Sequence, residues 1–249
     1  MRIPFDIIGS REKAIAVITD INMHISKAKQ GAKEIMSRYK HVKAVIQKTS
    51  KRKSKFRIYN YRHLVGVKRL TVIHKEYGYK LKVNPVKVHF SPREGEERER
   101  VANKVKNNEK ILYLFAGAAP YAVAIRKKKM VEIVCVEWNP YGIKLAKENI
   151  KLNKLSGITV KKMDARDCTK LGKFDRVLMP LGTEGIKYLK YAVKCTKKNG
   201  VIHIYGKSDD NGKTLRKQIK KIVKCKILRQ QKVSSYSPGV EKIRMDIRI

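Results

Sequence analysis

Short apolar runs alternate with helical stretches along the second half of the chain, and this alternation restricts the fold more than any other feature. The apolar runs occupy 110–116, 131–137, 158–163, 174–179 and 200–205. The helical stretches between them fall at roughly 119–128, 140–153 and 183–196. Because parallel strands need long crossover connections, the pattern predicts an α/β fold, a mostly parallel sheet with helices on both faces.

The C-terminal segment follows a different pattern, with a period of two. Apolar residues at 243, 245, 247 and 249 alternate with Lys242, Arg244, Asp246 and Arg248. Such strict alternation predicts an edge or antiparallel strand with one face exposed to water. A mostly parallel sheet with an antiparallel strand late in the chain is the Rossmann-like layout of class I methyltransferases.

The first third of the chain has a mixed composition of elements. Residues 12–19 predict a strand, and Asp20 is a candidate cap for a helix that ends near Tyr39. A further strand is predicted at 41–46, and a hairpin is predicted from 70–74 and 79–83. Asn84-Pro85 marks a predicted junction. We therefore expect a small α+β domain at 1–84 and a Rossmann-like domain at 85–249.

The charge of the chain indicates its class of partner. Sixty Lys and Arg residues against 21 Asp and Glu residues give a formal net charge of +39. A polyanion is favoured because each phosphate that a cation neutralises releases a counterion. Residues 48–57 contain six Lys or Arg residues, with Phe56, Tyr59 and Tyr61 close by. Cations beside aromatic rings are typical of an RNA-contacting surface.

Several classes of protein are disfavoured by what the sequence does not contain. No run reaches the ~18 apolar residues of a membrane span, and the N-terminal apolar run is too short for a signal peptide. The four cysteines form no CxxC pair, and the six histidines have no metal-ligand spacing. We therefore expect a cytoplasmic protein with reduced cysteines, no membrane contact and no metal.

Polar or glycine residues follow three successive predicted strands. Gly117 comes directly after the first, which allows a ligand to approach the backbone closely. Glu137 ends the second, about twenty residues later, where a carboxylate accepts hydrogen bonds from ribose hydroxyls. Asp164, followed by Ala165, comes after the third and is placed to accept from an adenine amine. Together they predict a nucleoside-cofactor site. A nicotinamide cofactor is disfavoured because the loop lacks GxGxxG.

The chain resembles a known family through motifs that occur in the same order along nearly its whole length. They are PFDIIG (4–9), TVIHKEYGYKLKV (71–83), VHFSPREGEERERVA (88–102), FAGAAPY (115–121), VEWNPYGIKLAKENIKLNK (136–154) and DARD (164–167). These residues are similar to the archaeal and eukaryotic tRNA (guanine-37-N1)-methyltransferase family, which includes wyosine-pathway relatives. The resemblance implies S-adenosylmethionine (AdoMet) as cofactor and the anticodon loop of tRNA as partner. We expect a monomer that lacks the additional N-terminal domain of many members.

The resemblance also implies roles for single residues. By position, Glu97 matches the family's general base, and Arg57 matches the arginine that stabilises charge on guanine O6. Ser91 and Arg98 match cofactor contacts, and Phe115 and Gly117 are expected at its methionine end. Ser91-Pro92-Arg93-Glu94 also reads as a capping box that would begin the helix carrying Glu97. The alternative for Glu97 is a solvated partner of neighbouring arginines.

Three functions remain open at the level of sequence. The first is N1-methylation of guanosine 37. The second is a wyosine-pathway transfer, of a methyl or an aminocarboxypropyl group, to a tricyclic base at the same position. The third is RNA binding without catalysis. Departures from the family pattern keep the last two open: Tyr113 and Ala119 in the first motif, His89, and Pro180-Leu181-Gly182 after the fourth strand.

Overall fold

The computed structural model describes residues 3–51, 56, 58–237 and 239–249. These residues form a four-stranded sheet, a two-stranded hairpin and a seven-stranded sheet. The four-stranded sheet comprises β1 (Phe5–Gly9), β2 (Ala14–Ile18), β3 (Val42–Lys48) and β4 (Tyr61–Gly66), in that order. Helix α1 (Ile25–Arg38) connects the parallel strands β2 and β3 and covers the sheet with Ala28, Ala32 and Ile35.

The start of α1 differs from the prediction. The helix begins at Ile25, and His24 caps it by accepting from the backbone N–H of Ser26. Asp20 instead accepts from the N–H of Asn22 at 2.9 Å, which closes a turn before the helix. An Asp side chain competes for nearby backbone donors in turns as readily as at helix starts, so the sequence did not distinguish the two roles.

The hairpin comprises β5 (Val72–Glu76) and β6 (Tyr79–Val83), as predicted. Tyr77 and Gly78 both have positive φ, 44° and 79°, which is the requirement of a two-residue turn between twisted strands. The outer strand β6 is hydrogen-bonded along its backbone to side chains of a later helix. Asn149 exchanges bonds with the N–H and C=O of Lys82 at 2.6 and 3.1 Å. These bonds fix the hairpin against the large sheet.

The large sheet has the order β12-β13-β11-β10-β7-β8-β9. Its strands are β7 (Lys110–Leu114), β8 (Glu132–Glu137), β9 (Ile158–Lys162), β10 (Phe174–Met179), β11 (Thr196–Ser208), β12 (Lys226–Ser237) and β13 (Val240–Arg248). Strands β7 to β11 are parallel, and β13 is antiparallel to β11. The helices are α2 (Gly95–Lys104), α3 (Pro120–Lys128), α4 (Pro140–Leu152), α5 (Leu189–Lys194) and α6 (Lys213–Ile222). The predicted fold class is confirmed.

Strand β13 is antiparallel as predicted, but it lies inside the sheet, because β12 pairs with it on the outer side. The prediction that one face of this strand is exposed to water is wrong. Arg244 and Asp246 are 0% and 3% exposed, since α2 packs over this part of the sheet and supplies an opposite charge to Arg244.

A buried polar layer fills the space between α2 and the sheet. Its members, each bonded to the next, are Glu97, Arg244, Asp246, His203, Arg176 and Glu109. Burial lowers the pKa of His203 to about 4, against the opposing effect of Asp246, so the imidazole is neutral at neutral pH. The layer therefore pairs two arginines with three carboxylates through a neutral bridge, and Lys104 approaches Asp246 at 3.5 Å.

Candidate active site

A cavity of about 380 Å³ lies at the carboxyl ends of β7, β8 and β10. Strand β7 is the point where the strand order reverses, because β8 lies on one side of it and β10 on the other. Loops that follow neighbouring strands at such a point diverge, and ligands of open α/β sheets bind in the space between them. The volume is within the range of small-molecule sites.

The loop after β7 brings its backbone to the cavity. Phe115, Gly117 and Ala119 all have positive φ, between 55° and 59°. Close packing holds this loop, because a Cβ placed on Gly142 would lie 3.2 Å from the carbonyl oxygen of Gly117. The sequence indicated the tight turn at Gly117, and the structure shows that residues on both sides share its left-handed conformation.

Glu137, at the end of β8, is held by three backbone donors. Its carboxylate accepts from the N–H groups of Gly117, Trp138 and Asn139 at 2.6 to 2.8 Å. Burial raises the pKa of Glu137, and the three donors oppose that effect. Each carboxylate oxygen has two acceptor sites. Oε1 accepts from both Trp138 and Asn139, whereas Oε2 accepts only from Gly117 and can also accept from a ligand hydroxyl.

The loop after β9 supplies the next wall. Asp164 caps a short 3-10 helix, Ala165–Leu171, and accepts from the backbone and guanidinium of Arg166. Both Asp164 and Ala165 line the cavity. The rings of Phe115 and Tyr188 meet edge to face, with centroids 4.9 Å apart, and form an apolar surface beside them.

Arg98 is fixed at the opposite wall. Its guanidinium donates to Glu76 at 2.6 and 2.7 Å and to the carbonyl oxygen of Ser91 at 3.3 Å. It also lies 5.1 Å from the ring centroid of Phe90. Arg98 and Ser91 both line the cavity. All seven residues predicted to bind the cofactor thus surround one space.

The capping box that the sequence predicts at Ser91 does not form. Pro92–Glu94 make a 3-10 turn, α2 begins at Gly95, and the Ser91 side chain makes no capping bond. The Glu94 carboxylate instead points to the cavity and accepts from Lys242 at 2.7 Å. Tertiary pairing with Lys242 has replaced the local bond.

Lys242 and Glu94 are cavity residues that the sequence did not identify. Burial would raise the pKa of Glu94, but Lys242 beside it lowers that pKa to about 2. Glu94 is therefore ionised at neutral pH. Lys242 belongs to strand β13, whose alternating pattern did not predict that the Lys242 side chain reaches the cavity.

Glu97 does not line the cavity. Its side chain is 1% exposed and accepts from the hydroxyl of Tyr205 at 2.8 Å and from Arg244. Tyr205 lies behind Tyr121, which does line the cavity. The interpretation of Glu97 as a solvated partner of arginines is therefore wrong. Burial raises its pKa, and Arg244 and Tyr205 oppose this.

Three remaining expectations concern Arg57, metals and membranes. Arg57 lies outside the described residues, although its neighbour Phe56 lines the cavity. Within the described part of the chain, no three His, Cys, Asp or Glu side chains are grouped to hold a metal ion. In the same residues no helix is both long and apolar enough to cross a membrane.

The chain is similar to known proteins in both sequence and structure. Residues 72–232 match the TRM5/TYW2 methyltransferase domain. The tRNA (guanine(37)-N(1))-methyltransferase Trm5b of Pyrococcus abyssi is 34% identical over 98% of this chain and 74% of its own. The tRNA 4-demethylwyosine(37)-methyltransferase Taw21 of Saccharolobus solfataricus is 31% identical over 72% and 70%. A structure of Methanocaldococcus jannaschii Trm5 in complex with adenosine superposes with a TM-score of 0.84, at 30% identity, over 99% and 72% of the two chains.

Proposed function

The chain belongs to the TRM5/TYW2 methyltransferase family, and on this premise we propose that it transfers a methyl group from AdoMet to N1 of guanosine 37 in tRNA. The observation that carries the proposal is the shared cavity of the seven predicted cofactor residues, listed here in chain order: Ser91, Arg98, Phe115, Gly117, Glu137, Asp164 and Ala165. AdoMet is the cofactor of this family, as the sequence predicted.

The residues of the cavity fit a nucleoside cofactor. Glu137 has a free acceptor site for ribose hydroxyls. Asp164, which follows the neighbouring strand β9, is placed to accept a hydrogen bond from an adenine amine. Phe115 and Tyr188 add an apolar surface beside these polar groups. When bound, AdoMet supplies an electrophilic methyl group on a sulfonium. The residues of the chain hold the cofactor and determine which atom of the substrate faces the methyl group.

Methylation at guanine N1 makes two demands on the protein. N1 carries a proton that must be removed, and the negative charge that develops on O6 must be stabilised. We propose that Glu97 receives the proton, and that Arg57 stabilises O6, as the family resemblance implies. Lys242 is a second cation for O6, since it lines the cavity with its ammonium group beside Glu94.

The remaining proposals concern how tRNA is held. We propose that the basic domain at 1–84 contacts the RNA and that the domain at 85–249 carries out the transfer. The anticodon loop would reach the cavity past Phe56, and guanosine 37 would leave its stack to meet the methyl group. We propose that the protein acts as a monomer in the cytoplasm.

A wyosine-pathway transfer is the second candidate. It is favoured by the similarity to the Taw21 protein and by Pro180 and Leu181, which line the cavity where the family's Asn is expected. A wall without that amide gives a target base fewer polar contacts. A tricyclic base, which has a larger apolar face than guanine, would be less affected by this.

The test uses the purified chain, AdoMet with a ¹³C-labelled methyl group, and a tRNA transcript with guanosine at position 37. The tRNA is then digested, and its nucleosides are separated and identified by mass spectrometry. The proposal expects labelled N1-methylguanosine, which disappears when position 37 is adenosine. Transfer only to tRNA that carries the tricyclic base would support the second candidate. A protein that binds tRNA but neither binds AdoMet nor forms any product would support RNA binding without catalysis.

A further inference from the structure

The group expected to take the proton is separated from the cavity by two tyrosines. Glu97 is buried beneath α2, and the cavity wall in front of it is formed by Tyr121. Between them lies Tyr205 of β11, which is 1% exposed. A direct contact between Glu97 and a base in the cavity would require this packed wall to open.

The hydroxyls of these residues form a chain. Those of Tyr121 and Tyr205 interact with each other, and Tyr205 donates to Oε1 of Glu97 at 2.8 Å. The Tyr121 hydroxyl also lies within 3.5 Å of Oε2 of Glu94, to which it donates. The two rings pack at 68° with centroids 6.3 Å apart, which holds both hydroxyls in place. Tyr205 thus donates toward Glu97, and Tyr121 is the member of the chain that lines the cavity. When the Tyr121 hydroxyl turns its proton to Tyr205, its lone pairs can accept a proton from the cavity side.

We propose that Tyr121 and Tyr205 relay the proton of guanine N1 to Glu97. The inference rests on the proposed function, since it needs N1–H as the proton source. It assigns Tyr121 as the residue that contacts the target base and Tyr205 and Glu97 as residues that act through it.

The transfer is balanced in protons and electrons. The N1–H bond breaks and its proton joins the Tyr121 oxygen, while the hydroxyl proton of Tyr121 passes to Tyr205 and that of Tyr205 passes to Glu97. N1 keeps the electron pair and forms the bond to the methyl carbon, and the pair of the broken carbon–sulfur bond stays on sulfur. Both tyrosines end neutral, and the Glu97 carboxylate becomes a carboxylic acid.

The surroundings favour Glu97 over Glu94 as the final acceptor. Glu94 also lies near Tyr121, at 3.5 Å from its hydroxyl, but Lys242 holds the pKa of Glu94 at about 2. A carboxylate with such a low pKa is a weak base near neutral pH. Burial raises the pKa of Glu97, which makes it the better base near neutral pH.

The relay also keeps its own hydroxyls neutral. Burial raises the pKa of both Tyr121 and Tyr205 well above the ordinary value. Each oxygen therefore gives one proton only as it takes another. Arg244 stabilises the ionised form of Glu97 before transfer, and Asp246 remains to pair with Arg244 afterwards.

The test compares single-turnover methylation by Tyr121→Phe, Tyr205→Phe and Glu97→Gln. The two Phe variants keep the rings and remove only the hydroxyls. Tyr191→Phe is the matched control, because Tyr191 packs in the second core cluster and does not line the cavity. We expect a loss of about 100-fold or more in rate for Tyr121→Phe, Tyr205→Phe and Glu97→Gln, the usual magnitude for general-base catalysis. The control Tyr191→Phe should stay within several-fold of the wild type.

Three readouts separate a relay from a structural role. The double variant Tyr205→Phe/Glu97→Gln should be no slower than either single variant, because both remove one pathway. The AdoMet Kd and the tRNA KM should not change. The wild-type rate should rise with pH as Glu97 ionises, and this limb should vanish in Glu97→Gln. The charged and titratable groups that face Glu97 are Arg100 of its own helix, Tyr205 of β11, Arg244 of β13, Tyr121 of α3 and Glu94 of the preceding turn.

The outcomes are distinguishable from those of the proposed function. If the wild type makes no N1-methylguanosine, both proposals fall together. If the wild type is active and Tyr121→Phe stays within several-fold of it, only the relay falls, even where Glu97→Gln is inactive. Should Tyr205→Phe fail to fold, as a lost melting transition would show, Tyr121→Phe decides alone.

Discussion

Replacement of Arg244 by Met is expected to destabilise the protein strongly. Arg244 is 0% exposed and is the shared partner of Glu97 and Asp246, which are 1% and 5% exposed in their side chains. Met preserves most of the side-chain volume, so the substitution mainly removes the charge. Two buried carboxylates would then remain without their common cation.

The magnitude follows from this burial. Removing one partner of a buried ion pair costs about 3–5 kcal/mol, because the other charge stays desolvated. That is a large share of the ~5–15 kcal/mol that separates folded from unfolded domains. The matched control is Arg93→Met, which breaks an ion pair with Asp6 whose arginine is 54% exposed. Exposed pairs contribute about 0–1 kcal/mol.

Urea unfolding of both variants measures the free energies, and pH provides a second check. The pKa of Glu97 is raised in the folded state and would rise further without Arg244. A carboxyl group whose pKa is raised by folding contributes stability at low pH, and this contribution is lost as the pH rises through its folded-state pKa. The loss of stability in Arg244→Met should therefore be smaller in acid than at neutral pH. Adding Glu97→Gln should recover part of the loss. A defect below ~1 kcal/mol, or equal to that of Arg93→Met, would refute the argument.

Three further predictions follow from single contacts. Asn149→Ala should lower the free energy of unfolding by about 1–3 kcal/mol in urea titrations, because buried backbone groups of β6 lose their partner. Gly142→Ala should weaken AdoMet binding in calorimetry, since its Cβ would lie 3.0 Å from Glu137, while Gly185→Ala, with its nearest contact at 3.5 Å, should not. Lys242→Met should raise the pKa of Glu94 from about 2, as carboxyl NMR titration would show; an unchanged pKa would contradict the pairing.

The order of strands and helices along the large sheet was predictable because parallel strands are buried on both faces. Their apolar runs are therefore continuous in the sequence, as at 131–137. The residues predicted to bind the cofactor at the ends of those strands line one cavity for the same reason. Residues such as Gly117 and Glu137 interrupt an apolar pattern where the chain reaches the ligand edge.

The place of Glu97 could not be predicted from local sequence. Helix α2 is rich in Glu and Arg, a composition typical of a solvated helix. The charge of Glu97 is buried because Arg244 of β13, 147 positions later in the sequence, pairs with it. Strand β12 was missed because Lys, Gln and Ser dominate it, as is common at a sheet edge. Both features depend on pairing between distant segments.

The most direct test of the central claim compares kcat/KM for two substrates of the same tRNA sequence. One is an unmodified transcript with guanosine at position 37, and the other carries the tricyclic wyosine precursor there. The account predicts N1-methylguanosine from the first at a kcat/KM at least about tenfold above any transfer to the second, a preference of about 1.4 kcal/mol. Transfer to the tricyclic base alone would contradict it.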